Sequence, residues 1–465
     1  MRDSTAAAIA TNRFGLGARP GELAACSADP RGWLEAQLKG PPPIIADPAL
    51  QSTAAMVATL DEVRAQNRQL RAGTAAKELV AAVMKLGAIY RPAYVAEVTA
   101  RLRLAATTDR PFLERITQFW SNHFAVSVDK AIILGVAGSY EREAIRPHVL
   151  GSFQELLMAV EHHPAMLLYL DNFRSVGPDS MLAVRAQERT GKALGINENL
   201  AREIMELHTL GVDGGYTQAD VTAFAKVITG WSIGAAGRGI QAGGVPGEFF
   251  FRTNIHEPGT QTVLGRRYAQ DGLGQGQSVL VDLAHSPATA RHIATQLARH
   301  FIADEPPPES VNTLARVFQR SGGDLPAVYR ALIAAEAAWS QPLSKFKTPN
   351  DYVISAWRAL NVPLDDARPV PPVFANLGQR VWSPNSPAGW PDRSADWDGA
   401  SALMQRLRWA DELGQRLGAS VDAVQLAPQI LGTTLADATR VALTRAASAA
   451  QAVTLLLAAP EFMRR

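Results

Sequence analysis

The stretch Asn197–Trp231 reads NENLAREIMELHTLGVDGGYTQADVTAFAKVITGW and combines helical periodicity with a high density of ionisable and amide side chains. Apolar residues recur three and four positions apart on both sides of the DGGY turn at residues 213–216, which predicts two helices joined by a short loop. At 100° per residue, Glu203 falls between Leu200 and Leu207. The first helix is therefore predicted to turn the Glu203 carboxylate toward its packed side. A buried carboxylate is normally paired with a cation or belongs to a functional site.

The same spacing extends outward from this stretch over most of the chain, so we predict a mainly α fold, a compact multi-helix array. One region departs from the pattern. Its β-favouring residues around Glu257-Pro258-Gly259 predict one small β-hairpin near residues 247–268. We expect a single unit over residues 1–465, with proline-rich connections dividing it into helical sub-regions at 1–105, 110–304 and 309–465, the second of which holds the site.

The composition excludes several classes of protein. Of the 465 residues, 47% are hydrophobic and 19% charged, which is typical of a folded globular chain. Lysine plus arginine number 46 against 44 acids, and the net charge of +2 gives no field that would hold a nucleic acid. The single cysteine, Cys26, excludes an intrachain disulfide and a cysteine-rich zinc module.

Two further classes are excluded by the distribution of apolar residues. No segment approaches the roughly 20 apolar residues that a membrane span needs, so we expect no membrane span. The first residues, MRDSTAAAIATNRFGLG, lack an apolar run of signal-peptide length. From the sequence alone we therefore expect either a cytoplasmic protein or one whose leader is not among these residues.

The first helix of the opening stretch carries the leading site prediction. Asn199, Glu203 and Glu206 stand three or four residues apart and hence on neighbouring positions of one face. Two glutamates one turn apart can hold different pKa values, as a general acid and a general base require. We predict Glu203 and Glu206 as catalytic, with Asn199 and Arg202 binding substrate. The competing interpretation is a buried ion-pair network, because Arg202 can reach Glu206 at i+4.

Other segments place polar side chains beside aromatic ones. In FWSNHF, residues 119–124, His123 is predicted as a second catalytic proton-transfer group and Asn122 as a substrate-binding amide. Trp390 lies in a rigid PAGWP loop that we predict either closes over a pocket or fills the core. A satisfied aromatic core is the competing interpretation for FWSNHF as well.

Asp171 and Asn172, which follow the apolar run MLLYL, complete the predicted substrate-binding set. A metal site built from carboxylates and histidines, activating water, stays open as an alternative. His285 and His292 are seven residues apart and can share a helical face, yet no carboxylate lies between them at a convincing ligand spacing. The cofactor is therefore left unknown, with a metal as one possibility.

The sequence lacks the common catalytic signatures. It contains no Walker phosphate loop, no GxSxG nucleophile elbow and no HExxH motif. The glycine-rich segment at residues 272–276 has the wrong spacing for a dinucleotide fingerprint and is predicted to be a loop. Any reaction must therefore be argued from individual side chains.

An ordered set of motifs resembles the bacterial DUF1800 family, a domain of unknown function, over nearly the whole chain. These motifs run from NRFGLG at residues 12–17 and FWSNHF through PAMLLYLDN, NENLAREIMELHTLGVDGGYTQADV and ITGW to HSPATARHIATQLARHF, SPNSPAGWP and LLLAAPEFMRR. The resemblance supplies no reaction, because the family has no assigned catalytic residues. This chain reads His256-Glu257 where relatives commonly read HD, which weakens any expectation of a fixed ligand there.

The resemblance also bears on location and partners. Members of the family often look exported, so a periplasmic or exported location competes with the cytoplasmic one. They are often encoded beside a second family that resembles secreted sulfatases or phosphatases, which suggests a partner protein encoded nearby. The sequence thus leaves two functions open: a hydrolase-like or lyase-like enzyme that uses a buried glutamate on a polar substrate such as a glycan, and a non-catalytic helical scaffold for a neighbouring enzyme.

Overall fold

The prediction of a mainly α fold is confirmed. A computed structural model describes residues 2–42, 44–59, 75–191, 193–235, 243–340, 343–361 and 370–465. Helices account for most of the described chain, and strands are confined to two pairs in its middle. Within these residues no helix is both long and apolar enough to cross a bilayer.

The first sub-region contributes a short N-terminal group and one long helix. Residues Ala10–Phe14 continue the first helix as a π-helical turn. The described α-helices are α1 (Arg2–Ile9), α2 (Glu22–Cys26), α3 (Pro30–Ala36) and α4 (Ala75–Thr107).

The second sub-region consists mostly of short helices. Two of them continue directly into π-helical segments, at Glu141–Ile145 and Ile204–Thr209. The α-helices are α5 (Pro111–His123), α6 (Ala137–Tyr140), α7 (Phe153–Glu161), α8 (Pro164–Tyr169), α9 (Met181–Thr190), α10 (Asn199–Glu203), α11 (Gln218–Val227), α12 (Leu273–Ala284) and α13 (Pro287–Phe301).

The described part of the third sub-region is mostly helical, and its longest irregular segment lies between Asn376 and Ala400. Short 3-10 turns lie at Ser394–Asp396 and Gly432–Thr434. The α-helices are α14 (Pro308–Arg320), α15 (Leu325–Ala334), α16 (Ala337–Ser340), α17 (Pro349–Leu360), α18 (Pro371–Asn376), α19 (Ala400–Leu417), α20 (Ala423–Leu431), α21 (Asp437–Thr444) and α22 (Ala449–Ala458).

The predicted hairpin is present, with its turn shifted along the chain. Strands β3 (Gln261–Val263) and β4 (Arg266–Tyr268) pair antiparallel. Their two-residue turn is formed by Leu264 and Gly265, with φ of 51° and 75°, and two positive φ values suit the twist of a tight hairpin. The turn is therefore not at Glu257-Pro258-Gly259, where it was expected.

A second two-stranded sheet was not predicted. Strand β1 (Trp231–Ile233) pairs antiparallel with β2 (Phe249–Phe251), and Trp231 lies opposite Phe251. The sequence interpretation treated Trp231 as the end of a helix, because Gly230 is a strong stop signal. The helix ends at Val227, and Gly230 with φ of 89° turns the chain into the strand.

Glu257, of the His256-Glu257 pair, stabilises this part of the fold. Glu257 is buried, pairs with Lys226 Nζ at 3.0 Å and accepts a hydrogen bond from the Asp179 backbone N–H at 2.9 Å. Its carboxylate thus links α11 to the segment before α9 and is fully engaged in these contacts.

Buried arginines tie the first and third sub-regions together. Arg358 on α17 donates to the backbone oxygens of Gly17 at 2.8 Å and Ala105 at 3.0 Å, and its guanidinium pairs with Glu22 at 2.7 Å. A single buried apolar cluster extends from Ile9 to Met463 around these bridges. The three sub-regions were defined from the sequence, and the proposed domain organisation stays a prediction.

Candidate active site

A change of helix type determines which side chains of the opening stretch face the core. After α10, the chain continues as a π-helix, in which Leu210 N–H bonds the Met205 oxygen at 3.0 Å and Thr209 Oγ1 donates to the Ile204 oxygen at 2.6 Å. Both bonds reach back five residues. A π-turn shifts the side-chain register relative to an α-helix, and such turns are frequent at functional sites.

Glu203 is the last α-helical residue before this π-turn. The fully buried side of the segment is formed by Ile204, Met205 and His208, whereas Glu203 is half-buried. Burial raises the pKa of Glu203, and the nearby carboxylates of Glu206 and Glu161 raise it further, while His208 and Arg202 oppose this. Glu203 is therefore partly turned to the packed side, and the fully buried face belongs to Ile204, Met205 and His208.

The end of the π-helix offers two consecutive backbone oxygens to histidine side chains. The His292 Nε2 lies 3.0 Å from the Leu207 oxygen, and the His123 Nε2 lies 3.2 Å from the His208 oxygen. A carbonyl oxygen only accepts, so both Nε2 atoms carry the proton and donate it. These two histidines thus cap carbonyl groups that the helix itself leaves without a partner.

The same bond fixes the chemical state of His123. Because Nε2 carries the proton, the lone pair of the neutral ring is on Nδ1, which bonds to no described residue. Burial lowers the pKa of His123 well below its usual range, and the neighbouring His292 and His208 lower it further. His123 is therefore a neutral imidazole with a basic nitrogen available.

His123 lines a cavity of ≈ 350 Å³ between α5, α13 and the irregular segment before α19. The walls combine aromatic rings, such as those of Phe119, Trp382 and Trp390, with many ionisable groups. Among the described residues, the ionisable groups are Arg101, Arg115, Arg299, Arg380, Arg393, Asp351, Asp392, Asp396, His123, His292 and His300. A concave site with aromatic walls and converging polar groups is the usual form of a small-molecule site.

A reciprocal hydrogen-bond pair holds the tryptophan loop over the cavity. The Asn122 side chain donates to the Trp390 backbone oxygen at 2.9 Å and accepts from the Trp390 backbone N–H at 2.8 Å. Gly389, with φ of 79°, allows this approach, because a Cβ there would lie 2.3 Å from the Asn122 backbone oxygen. Asn122 therefore positions the loop, and its amide is occupied by that task.

One wall of the cavity is a buried chain of alternating charges. Arg115 pairs with Asp351 at 3.0 Å, Asp351 pairs with Arg465 at 2.8 Å, and Arg465 pairs with Asp392 at 3.0 Å. His300 Nδ1 lies 2.9 Å from Asp392. Burial lowers the pKa of His300 to about 4 although Asp392 favours the cation, so this imidazole is also neutral.

The opposite wall rests on a second buried network centred on Glu141. Its carboxylate receives Arg101 at 2.9 Å, Arg146 at 2.8 Å and the Ser121 hydroxyl at 2.8 Å. Burial alone would raise the pKa of Glu141, but Arg101, Arg146 and Ser121 together lower it to about 2. Glu141 stays ionised and also accepts from Trp382 Nε1 at 3.2 Å, which fixes an aromatic wall of the cavity.

Glu161, which the sequence analysis did not identify, holds the His208 side chain in place. Glu161, at the end of α7, is fully buried and lies 2.7 Å from His208 Nδ1. The pair fixes His208, whose backbone oxygen in turn receives His123. Glu161 thus positions His123 indirectly, through His208, and does not itself line the cavity.

The structure brings together only part of the predicted site. His123, Asn122 and Trp390 line the cavity, whereas Glu203 and Glu206 lie outside its lining. The Glu206 carboxylate accepts from the Tyr216 hydroxyl at 3.1 Å. Both glutamates are half-buried neighbours of Leu207, which does line the cavity.

The remaining predicted residues make local contacts. Arg202 pairs with Glu198 at 3.1 Å, so the expected pairing with Glu206 is wrong: the guanidinium turns toward the start of α10. Asn199 is exposed, and Asp171 pairs with Lys130 at 2.8 Å. Asn172 is buried and donates to the backbone oxygens of Ile228 and Trp231, each at 3.2 Å. No ligand contact is assigned to any of them, and their predicted substrate-binding roles stay predictions.

The cluster of histidines does not form a metal centre in this arrangement. The rings of His123 and His292 are 5.9 Å apart and those of His123 and His208 are 6.4 Å apart. Their nitrogens point to separate backbone oxygens or to Glu161. In the part of the chain that the structure describes, no three His, Cys, Asp or Glu side chains are placed to hold a metal ion.

Several cavity residues were missed, although one helix carried a signal for them. His292, Gln296, Arg299 and His300 are spaced by four, three and one positions along α13, which places them on neighbouring positions of one side of the helix. A polar stripe of this kind marks a face that meets a cavity or a buried network. Asp392 and Arg465 carried no such signal, because their partners are distant in sequence.

Comparison with known proteins identifies a family and no activity. The model of the family described as "Protein of unknown function (DUF1800)" matches residues 9–464, nearly the whole chain. The search of curated proteins found no match. No solved structure matches either.

Proposed function

Because the chain belongs to the DUF1800 family, whose description names no activity, we propose from the cavity that it is a hydrolase-like or lyase-like enzyme with His123 as its proton-transfer group. The observation that carries the proposal is the donated Nε2 proton of His123, 3.2 Å from the His208 oxygen. It leaves the lone pair on Nδ1 of a ring that lines the cavity. A general base needs this combination of a fixed tautomer and a free basic nitrogen.

A second neutral imidazole supports the same chemistry. His300 lies in the cavity wall with Nδ1 bonded to Asp392, so its Nε2 carries the lone pair, and Arg115 Nη1 lies 3.5 Å from that atom. Both His123 and His300 contact Phe119, with ring centroids 6.2 Å and 5.4 Å from it. Two imidazoles beside one aromatic wall can divide proton removal and proton return between them.

We expect replacement of His123 by Gln to abolish turnover while the fold persists. Proton transfer by a positioned side chain typically contributes about 10²–10⁴-fold to rate, so a loss of that size is expected. The assay is a panel of chromogenic esters, glycosides, phosphate monoesters and sulfate monoesters, applied to the wild-type protein and to H123Q. Circular dichroism and thermal unfolding establish that the variant is folded.

The matched control is His285→Gln, an exposed histidine that lies outside the cavity. It should keep full turnover with the substrate that the panel identifies. Equal turnover in H123Q and wild type would contradict the proposal. Loss of turnover in both variants would mean that histidine substitution disturbs the protein generally and that His123 has no special role.

The scaffold function stays a competing proposal. Its support is an exposed apolar pair on α19, Met404 at 51% and Leu407 at 38% exposure, which stand three residues apart. Exposed apolar side chains on one face suit a partner surface. Turnover that depends on His123 would exclude a purely non-catalytic scaffold.

A further inference from the structure

Arg299, in the last turn of α13, differs from the other arginines of the cavity. Its only hydrogen bond within the described chain is a long one, 3.5 Å from Nη1 to Gln296 Oε1 on the preceding turn. Its Nε is buried and has no hydrogen-bond partner. The guanidinium is therefore held in the cavity wall with most of its donors unused.

The four other cavity arginines each have a carboxylate. These pairs are Arg101 with Glu141 at 2.9 Å, Arg115 with Asp351 at 3.0 Å, Arg380 with Asp129 at 3.3 Å and Arg393 with Glu305 at 3.5 Å. Among the described residues Arg299 has no such partner. The remaining carboxylate of the lining, Asp396, is exposed at the rim and forms no ion pair with a described residue.

The physical chemistry of guanidinium makes this arrangement informative. Arginine stays protonated in proteins, so its charge cannot be relieved by loss of a proton. A partly buried charge without a counter-charge is unfavourable, and burial is normally compensated by pairing. The negative end of the α13 dipole favours a cation in the last turn, but it provides no acceptor for Nε.

We propose that Arg299 binds an oxyanion group of the ligand, a carboxylate, phosphate or sulfate, and that the substrate is therefore anionic. This inference rests on the proposed function for the identity of the cavity. The planar fork of a guanidinium matches two oxygens of such a group. His292 lies two turns earlier on the same helix. Burial lowers its pKa and the nearby His208 and Arg299 lower it further, against the hydrogen bond to Leu207, so His292 adds no positive charge beside that of Arg299.

Two histidines and a tryptophan line the cavity together with Arg299. The ring centroids of His123 and His292 are 5.9 Å apart, and both rings line the same cavity as Arg299. A ligand whose anionic group binds Arg299 would share this cavity with the neutral imidazole of His123 and with Trp390. The charge anchors the substrate, and the imidazole acts on it.

The test is isothermal titration calorimetry with sodium phosphate, sodium sulfate and sodium acetate in separate arms. We expect saturable binding of at least one of these ions to the wild-type protein. R299Q should weaken it roughly tenfold to a hundredfold, because hydrogen bonds to charged groups contribute that factor. R299K should retain part of the affinity, since it keeps the charge and loses the fork.

The matched control is Arg291→Gln, two turns earlier on α13, where Arg291 is exposed and bonds Asn312 at 3.0 Å. It should bind the ion as the wild type does. Absence of saturable binding in all three arms, or equal binding by R299Q, would overturn the inference. The ion that binds most tightly identifies the oxyanion.

A fourth variant separates this inference from the proposed function. H123Q should bind the same ion with unchanged affinity, because it keeps Arg299. Turnover that depends on His123 without any ion binding would overturn the inference alone. Ion binding that depends on Arg299, with turnover independent of His123, would support the inference and contradict the proposed function.

Discussion

At the scale of single residues, the protonation states of the buried groups decide what the cavity can do. His123 and His300 are held neutral by burial, whereas Glu141 and Asp351 are kept ionised, each with a pKa of about 2, by arginines that outweigh the effect of burial. The cavity thus combines ionised groups, which are paired with one another, with the neutral imidazoles of His123 and His300. Perturbed groups that collect in one cleft mark a functional site.

Glu203 provides a prediction with a definite sign. Its folded pKa is raised, so the folded protein binds a proton more tightly than the unfolded chain, and stability falls as pH rises from about 4.5 through the raised pKa. Glu203→Gln removes this effect. We expect a small gain in the free energy of unfolding at pH 7, a fraction of a kcal/mol because solvent screens a half-buried carboxylate, and almost no change at pH 4. Urea unfolding at the two pH values measures it.

The same variant decides the catalytic role predicted for Glu203. Because Glu203 lies outside the cavity lining, we expect E203Q to keep turnover. Loss of turnover with an intact fold would instead support Glu203 as the acid or base. A large loss of stability at pH 7 would favour the ion-pair network.

At the scale of elements, the π-helix Ile204–Thr209 positions the site. It ends with the two backbone oxygens that orient His292 and His123, and it buries His208 against Glu161. An uninterrupted α-helix would rotate these groups away from one another. The site therefore depends on a local departure from regular structure.

Thr209→Val tests this dependence. Thr209 is fully buried, and its hydroxyl donates to the Ile204 oxygen five residues earlier, so its loss should cost about 1 kcal/mol of stability. The control is Thr190→Val on α9, where an exposed hydroxyl donates to the Ala186 oxygen at 2.8 Å. This change should lie within about 0.5 kcal/mol of wild type. A cost for T209V no larger than that for T190V, by urea unfolding, would show that the π-turn does not need the hydroxyl.

Secondary-structure elements differ in how well the sequence predicted them. Helical periodicity predicted the mainly α fold, and α13 follows it: the helix begins at Pro287 and is capped by a hydrogen bond from Ala288 N–H to Ser286 Oγ. The π-helix could not be predicted, because a 100° rotation per residue was assumed and no side chain signals the extra residue. The hairpin was predicted but its turn was placed at a Pro-Gly pair, whereas Leu264 takes the unusual positive φ.

At the scale of the whole molecule, the cavity is assembled from segments far apart in the chain. His123 and Asn122 come from α5, Arg299 from α13 and Trp390 from the segment before α19. FWSNHF and PAGWP were both identified as aromatic segments with polar neighbours, yet only the tertiary fold shows that Asn122 bonds Trp390. Asp392 is 92 positions from His300 and 73 from Arg465, so no local pattern links them, which is why Asp392 and Arg465 were missed.

The central claim is that His123 presents a neutral ring nitrogen to a cavity that ligands can enter. Carbethoxylation by diethyl pyrocarbonate, followed by mass spectrometry of the nine histidines of the intact protein, tests it without a substrate. Exposed His285 calibrates the reagent and fully buried His208 gives the background.

We predict that His123 reacts well above His208 and that its rate at pH 6 stays within about twofold of its rate at pH 7.5. An imidazole with the reference pKa of about 6.5 would slow about fourfold over that range, because only the neutral ring reacts. Reaction of His123 no faster than that of His208, or a rate that falls as for an ordinary imidazole, would contradict the account.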